Sequence, residues 1–464
     1  MLRLHGFARS MNPQHLTGLA SGLPRLHYAW VIIAVASMIC MLTSPMRFAI
    51  SMLVPYLQSP QGFGWSYFAI SIAFALQWLV TALISPLVGW LGERYGVRRT
   101  LILGAYLFIL GMVLTGSMTR LWHFYLYFGI LLAVPLTIIQ VPLVAGVAVW
   151  FRTHIGIAMG ILQAVQGLGT VVAIPLVAVL FTHFGLAWAF WGPGLVGGAL
   201  VLLLIRLFHN EPAQIGLRPL GAAPDEPIQR LHAGPVAQLR ARSFLRQARR
   251  TGAFWNLIGI HFWGCVGHNS LLLFLPTIAM ARGLTPGLAA SVYATLNVSS
   301  LFTRFAVPVV ADYLGSKKVM ACCFSMQTLP ILLLFFAQDA WTFFLFAILF
   351  GIGVGGEVPI FPVISRQYYG QAPMGGLYGW QNIGNGVGMA LGPALGGLIW
   401  TQTGDYTGVL VLSFGASLAG VLSILVLPST SCCLLPHWEE QLPPEARSGA
   451  MRHTEKEAEP HGAS

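Results

Sequence analysis

The chain has 464 residues, a formal net charge of +11, 56% hydrophobic residues and only 8% charged ones. Water-soluble domains carry about a quarter charged residues, so this composition excludes a soluble globular fold. The six cysteines, Cys40, Cys265, Cys322, Cys323, Cys432 and Cys433, show neither zinc spacing nor a disulfide framework and read as small core residues.

A membrane helix needs about 20 apolar residues, whereas β-barrel strands alternate over about 10. The apolar runs here are long and unbroken. They predict twelve helical spans at 28–54, 66–91, 100–118, 122–149, 155–180, 187–208, 253–280, 287–311, 319–337, 340–365, 376–402 and 408–427. The first run is too long for the apolar region of a signal peptide. The domains expected are an N-terminal tail (1–27), a six-helix half (28–208), a Pro- and Arg-rich linker (209–252), a second half (253–427) and a polar, disordered C-terminal tail (428–464). The linker's end, from about Val236 to Arg250, reads either as a basic helix lying on the membrane surface or as an irregular loop.

Lys and Arg set orientation. With both termini cytoplasmic, 21 of the 25 cations fall inside, only Arg120 and Arg282 fall outside, and Arg47 and Arg304 lie within spans. The positive charge therefore faces anionic lipid and is no argument for nucleic acid. "GERYGVRR", Gly92 to Arg99 after span 2, and "ADYLGSKK", Ala311 to Lys318 after span 8, repeat one pattern. They make span 8 the counterpart of span 2. Repeated halves related by an axis along the membrane normal are a transporter architecture, with spans 1, 4, 7 and 10 expected to line the cavity.

"GWLGERYGVRR" resembles the signature loop of the major facilitator superfamily, and "PVVADYLGSKK" its degenerate copy. "MRFAISMLVPYL", "GFGWS", "WFRTHIGIAMGI", "TRFAVPVVADYLG" and "GMALGPALGGLIWTQTGDY" resemble bacterial relatives of the monocarboxylate transporters and oxalate/formate antiporters. The resemblance implies an all-α membrane protein with the major facilitator fold, two six-helix bundles in a bacterial inner membrane, acting as a single chain. It departs from the pattern at Glu93, where Asp is usual, at Trp90, at Pro308 in place of a Gly, and at His154 and Ile155. Ser300 stands where the monocarboxylate carriers have an Asp. A carboxylate at a helix end can latch onto the N-terminus of another helix. Gly89, Glu93, Arg94, Gly96, Arg98 and Arg99, with Asp312, Lys317 and Lys318, are the residues expected to form such a conformational latch, the cations holding lipid phosphates or carboxylates.

An ionisable side chain deep in a span marks function by default, and three qualify: Arg47, Arg304 and Glu357. Two always-charged guanidinium groups, one per half, fit an anionic substrate carrying a carboxylate. Arg47 snorkelling to headgroups, and Arg304 permanently paired with Glu357, are the structural alternatives. Glu357 either carries a proton or neutralises Arg304, and His268 is the other titratable candidate. Asn297 shares a helix face with Ser300 and Arg304. With His268, Gln381 and Asn385 it completes the expected substrate contacts. The function expected is secondary transport of a small organic anion by alternating access, coupled to protons or a counter-anion. Efflux of amphipathic compounds and a non-transporting sensor are the alternatives. No nucleotide loop, metal motif or nucleophile elbow stands in the sequence, so neither an ATP-driven pump nor an enzyme is expected, and no cofactor or metal.

Overall fold

The structure is a computed structural model that describes residues 27–231 and 234–447. The N-terminal tail before residue 27 and residues 448–464 of the expected disordered tail lie outside the described residues. Apart from one isolated bridge between Phe151 and Leu220, the described residues are helices, turns and loops.

The spanning helices are α1 (Tyr28–Phe48), α2 (Tyr67–Tyr95), α3 (Val97–Gly116) and α4 (Leu121–Val149), then a 51-residue run Ile155–Ile205. After the linker come α7 (Gly252–Ala281), α8 (Pro286–Leu314), α9 (Ser316–Phe336), α10 (Ala340–Tyr369), α11 (Met374–Thr403) and α12 (Thr407–Val426). A straight helix of that length would be about 77 Å long, more than twice the hydrocarbon thickness. The run instead turns back at Gly185, whose φ of 82° only glycine adopts without strain. A Cβ at Gly192 would lie 3.2 Å from the Leu180 side chain, a contact that a continuous helix would separate by about 18 Å. The run is therefore α5 (155–184) and α6 (186–205), and the described residues make twelve passes.

The two charged blocks are corners rather than loops. Gly96 alone separates α2 from α3, at φ 85°. Gly315 alone separates α8 from α9, at φ 86°, in the corresponding place of the second half. The helices on either side absorb the flanking charges. Packing repeats from half to half: α1 against α5 matches α7 against α11, and α2 against α4 matches α8 against α10. The halves meet through two crossed pairs, α2 with α11 and α5 with α8.

The linker forms the helix Gly234–Ala248, which buries Ala237, Arg240, Ala241, Phe244 and Ala248. It packs against α2 and against the C-terminal segment, so its buried face is covered by protein. That segment differs from the disorder expected of it. Residues 428–447 fold back along the helix, burying Trp438, Leu442 and Ala446. The reason is a partner that local composition does not show. Arg240, 1% exposed, pairs with the Glu439 carboxylate, donates to the Ala446 carbonyl and stacks 5.0 Å over the Trp438 ring.

Candidate functional site

In the first half, α1 breaks at Ser44–Pro45 and a short turn, Met46–Ala49, carries Arg47 inward. Arg47 is 4% exposed. Its Nη2 donates to Thr81 Oγ1 at 3.2 Å, and its guanidinium lies 4.1 Å over the Trp78 ring of α2. Thr137 of α4 donates to the same Thr81 hydroxyl at 3.2 Å. Nη1 has no hydrogen-bond partner, and among the described residues no carboxylate pairs with this cation. A π-face and one hydroxyl offset only part of the cost of burying a charge, which leaves the group able to accept an anion. Gln163 of α5, 1% exposed, likewise leaves both amide atoms unbonded.

In the second half, Glu357 of α10 is fully buried and bonded to His268 Nδ1 of α7 at 2.9 Å. It packs so closely that a Cβ at Gly264 would lie 2.2 Å from Glu357 Oε1. Cys265 Sγ lies 3.8 Å from the same oxygen and 3.2 Å from Asn385 Oδ1 of α11. His261, whose ring nitrogens are both unbonded, stacks on Phe361 at 3.9 Å. The donor atoms of His261, Cys265 and Glu357 lie within 4.8 Å of one another and are the described residues that could hold a metal ion.

Of the residues singled out in the sequence, the structure gathers Glu357, His268 and Asn385 into one cluster. It does not place Arg304 beside Glu357. Arg304 Nε donates to Ser300 Oγ at 3.4 Å, and the side chain lies against Gly167 of α5, whose Cβ position is 3.4 Å from Arg304 Cδ. Glu357 is held instead by His268. Gln381 is buried and donates to Ser365 Oγ at 2.7 Å, while Asn297 is exposed and bonded to the Tyr293 carbonyl. Trp78, Thr81, Thr137, Ser85, Asn382 and Cys265 were not singled out. Of these only Asn382 carried a signal, standing three residues before Asn385 on one helix face.

On the face bearing the linker, two carboxylates bond across the halves. Glu93 Oε1 accepts the Gly376 N–H at 2.8 Å, at the start of α11. Asp312 Oδ2 accepts the Gly156 N–H at 2.8 Å, at the start of α5. Each crosses between the halves, and the two bonds are copies of each other: Asp312 stands in the second half where Glu93 stands in the first, and Gly376 answers to Gly156. Gly89 brings the backbones together, since a Cβ there would lie 2.3 Å from the Gly375 carbonyl oxygen. The cations serve helix ends within each half. Arg98 Nη2 donates to the Arg206 carbonyl, and Lys317 Nζ donates to the Leu425 carbonyl, again at corresponding places in the repeat. Arg94 lies over the Trp90 and Tyr95 rings, and Arg99 and Lys318 are exposed.

Twelve helical passes among the described residues, in two repeated halves with buried ionisable groups in each half and carboxylate hydrogen bonds between them, define a multi-pass membrane protein of transporter architecture. The family model for the Major Facilitator Superfamily matches residues 33–315 and 294–446, and the chain belongs to that superfamily. It is 26% identical over 436 residues to the oxalate:formate antiporter of Oxalobacter formigenes, covering 90% of this chain and 95% of the relative. It is 23% identical over 428 residues to monocarboxylate transporter 12-B of Danio rerio, covering 88% of each. The solved structure of the proton:xylose symporter XylE superposes with a TM-score of 0.70 at 15% identity, covering 89% of this chain and 98% of that one. These relatives are transporters, not enzymes.

Proposed function

We propose that the chain is a secondary active transporter of a small carboxylate-bearing organic anion, working by alternating access. The observation that carries this reading is Arg47, a buried guanidinium with no acidic partner and one unbonded amino group among the described residues. Its fork and the aromatic face beneath it suit a carboxylate better than a neutral or cationic solute. Arg304 and Gln163 are the further contacts we assign to the substrate, with Gln381, Asn385 and Asn297 placed to act only after rearrangement. The Glu357–His268 pair is the proton-carrying group. A proton taken from water on one side forms the O–H of Glu357, and its release on the other side restores the carboxylate. Monoanion and proton together then cross without net charge. The linker face, which gathers Arg94, Arg98, Arg99, Lys317, Lys318 and the linker cations, is assigned to the cytoplasm of a bacterial inner membrane. The names of the antiporter and monocarboxylate relatives agree with the substrate class.

The test is uptake of radiolabelled oxalate, formate and lactate into proteoliposomes, each with and without a pH gradient and with counter-anion inside. Uptake of at least one is expected, and Arg47→Ala should lower it at least about 100-fold, with Arg47→Lys recovering little because the fork is lost. A folded Arg47→Ala protein that transports at the parent rate overturns the anion assignment.

A further inference from the structure

His261 is a buried polar side chain to which the transport reading gives no task. It is 0% exposed, and neither ring nitrogen has a hydrogen-bond partner among the described residues. Buried polar atoms are nearly always satisfied, and an orphan has a specific cause such as an ion. The ring is held in place, because it stacks on Phe361 of α10 with centroids 3.9 Å apart and planes 14° from parallel. Stacking fixes the ring plane, and the lone pair of a neutral imidazole lies in that plane.

Cys265 follows one turn along α7, on the same helix face as His261. Glu357 and Phe361 are one turn apart on α10, so the two helices set ring against ring and thiol against carboxylate. Cys265 Sγ lies 3.8 Å from Glu357 Oε1. Gly264 lets the carboxylate come this close, since a Cβ there would lie 2.2 Å from that oxygen. The donor atoms of His261, Cys265 and Glu357 all lie within 4.8 Å of one another. Around a tetrahedral zinc ion, with bonds of about 2.0–2.3 Å, ligand atoms stand about 3.3–3.7 Å apart. Closing the cluster by about 1 Å therefore gives three ligands, a set that leaves the fourth position to water. The surroundings support the same set. Glu357 Oε2 is bonded to His268 Nδ1 at 2.9 Å, the kind of outer bond that ligating carboxylates make. Asn385 Oδ1, 3.2 Å from Cys265 Sγ, offers a bound water an acceptor. That amide is held by Asn382, which accepts from Asn385 Nδ2 at 2.8 Å and donates to Ser85 Oγ at 2.8 Å. A divalent cation with one thiolate, one carboxylate and a neutral imidazole sums to zero charge, which a buried site favours.

We propose that His261, Cys265 and Glu357 form a buried binding site for a divalent transition metal of the zinc class. The thiolate selects such an ion over magnesium or calcium. Binding forms one bond each from sulfur, nitrogen and oxygen to the metal and releases the Cys265 proton to water. The site goes beyond the transport reading and does not rest on it. A metal held by Glu357 takes that carboxylate out of proton exchange.

The experiment uses the full chain in detergent, free of any histidine tag, with the exposed Cys322, Cys432 and Cys433 replaced by serine. Zinc is titrated by equilibrium dialysis against a competing chelator, and cobalt(II) takes its place for absorption spectroscopy. One ion per chain is expected, with a thiolate-to-cobalt charge-transfer band and the strong visible bands of four-coordinate cobalt. Cys265→Ser should abolish the charge-transfer band. It, His261→Gln and Glu357→Gln should each weaken zinc binding at least about 100-fold, and His268→Gln, which removes only the outer bond, about 10–100-fold. Cys323→Ser is the control on α9, where Sγ lies 2.6 Å from the Gly356 Cβ position, and should leave binding and spectrum unchanged. If a cluster variant does not fold, thiol protection tests the site with the cluster intact. At zinc about ten times its dissociation constant, modification of Cys265 by methyl methanethiosulfonate should slow about tenfold while that of Cys40 is unaffected. Zinc binding no greater than in Cys265→Ser, a cobalt spectrum without the thiolate band, or binding that survives in all three ligand variants overturns the proposal. So does loss of the band in Cys323→Ser but not in Cys265→Ser, which moves the sulfur to α9. None of these readings involves transport, so the anion and proton assignments stand or fall by uptake alone.

Discussion

Removing the His268 imidazole strips the buried Glu357 carboxylate of its 2.9 Å partner. A buried polar group left without its hydrogen bond costs about 1–3 kcal/mol, and a charge more. His268→Ala should therefore destabilise the detergent-solubilised protein by at least that amount. The double change to His268→Leu with Glu357→Leu should lose less than the two single changes summed, because the double variant orphans no charge. Thermal unfolding followed by tryptophan fluorescence measures both, and strictly additive losses would mean that the pair is not an energetic unit. The sequence made Glu357 and His268 visible for one reason: each is an ionisable residue inside an apolar run. It could not make the pair visible, because which residue of α7 faces Glu357 depends on how two helices are rotated against each other. The same blindness produced the expected Arg304–Glu357 contact. Similar depth in the membrane was legible, but azimuth was not, and in this conformation Arg304 leans toward α5. Cys265, Ser85 and Thr81 gave no signal at all, since small weakly polar residues are common in spans as packing elements.

At the scale of elements, the sequence gives helices readily and their ends poorly. Long apolar runs located every pass, including the division near Gly185 between two runs. What it concealed was that Glu93 and Asp312 belong to the last turns of α2 and α8, because a corner that needs only one glycine looks like a charged loop. It also concealed the C-terminal segment, whose low hydrophobicity argues for disorder until Arg240 is seen beneath it. Burial lowers the Arg240 pKa from its usual value, and Glu439 pulls it back up. Arg240→Ala should leave Glu439 buried without its cation and release residues 428–447 from the linker helix. Hydrogen exchange is the direct measurement: the amides around Trp438 and Leu442 should exchange at least about tenfold faster, while those of α10 and α12 keep their protection. Unchanged exchange around Trp438 would mean that ring packing of Trp438 against Phe244, at 5.3 Å, suffices to hold the segment.

For the whole molecule, the repeat was the most legible feature, and it extends further than the charged blocks that announced it. The glycine corners, the two carboxylate bonds between halves and the two cations on helix-end carbonyls all recur at corresponding places in the two halves. A symmetric closure has an energetic consequence. A hydrogen bond to a carboxylate contributes about 1.5–3 kcal/mol, and a helix N-terminus adds about 0.3–1 kcal/mol for a nearby negative charge. Conformers of one protein commonly differ by only a few kcal/mol, so losing a bond of this size is expected to shift the balance between them. Glu93→Ala and Asp312→Ala should each shift the population toward opening on the linker face by about tenfold. The two sites use different helix pairs, so their effects should add, and the double variant should shift it by about 100-fold. Spin labels at Tyr95 and Tyr313, both exposed at this face, report the separation of the halves once the exposed Cys322, Cys432 and Cys433 are replaced by serine. The expected result is one short distance in the parent, a minor longer one in each single variant, and a dominant longer one in the double. A parent-like distribution in the double variant would show that the close backbone contacts of α2 with α11 and α5 with α8 hold the face shut without the carboxylates. In that case Gly156→Ala, whose Cβ would lie 2.1 Å from the Pro308 carbonyl oxygen, should open it where the charge changes did not.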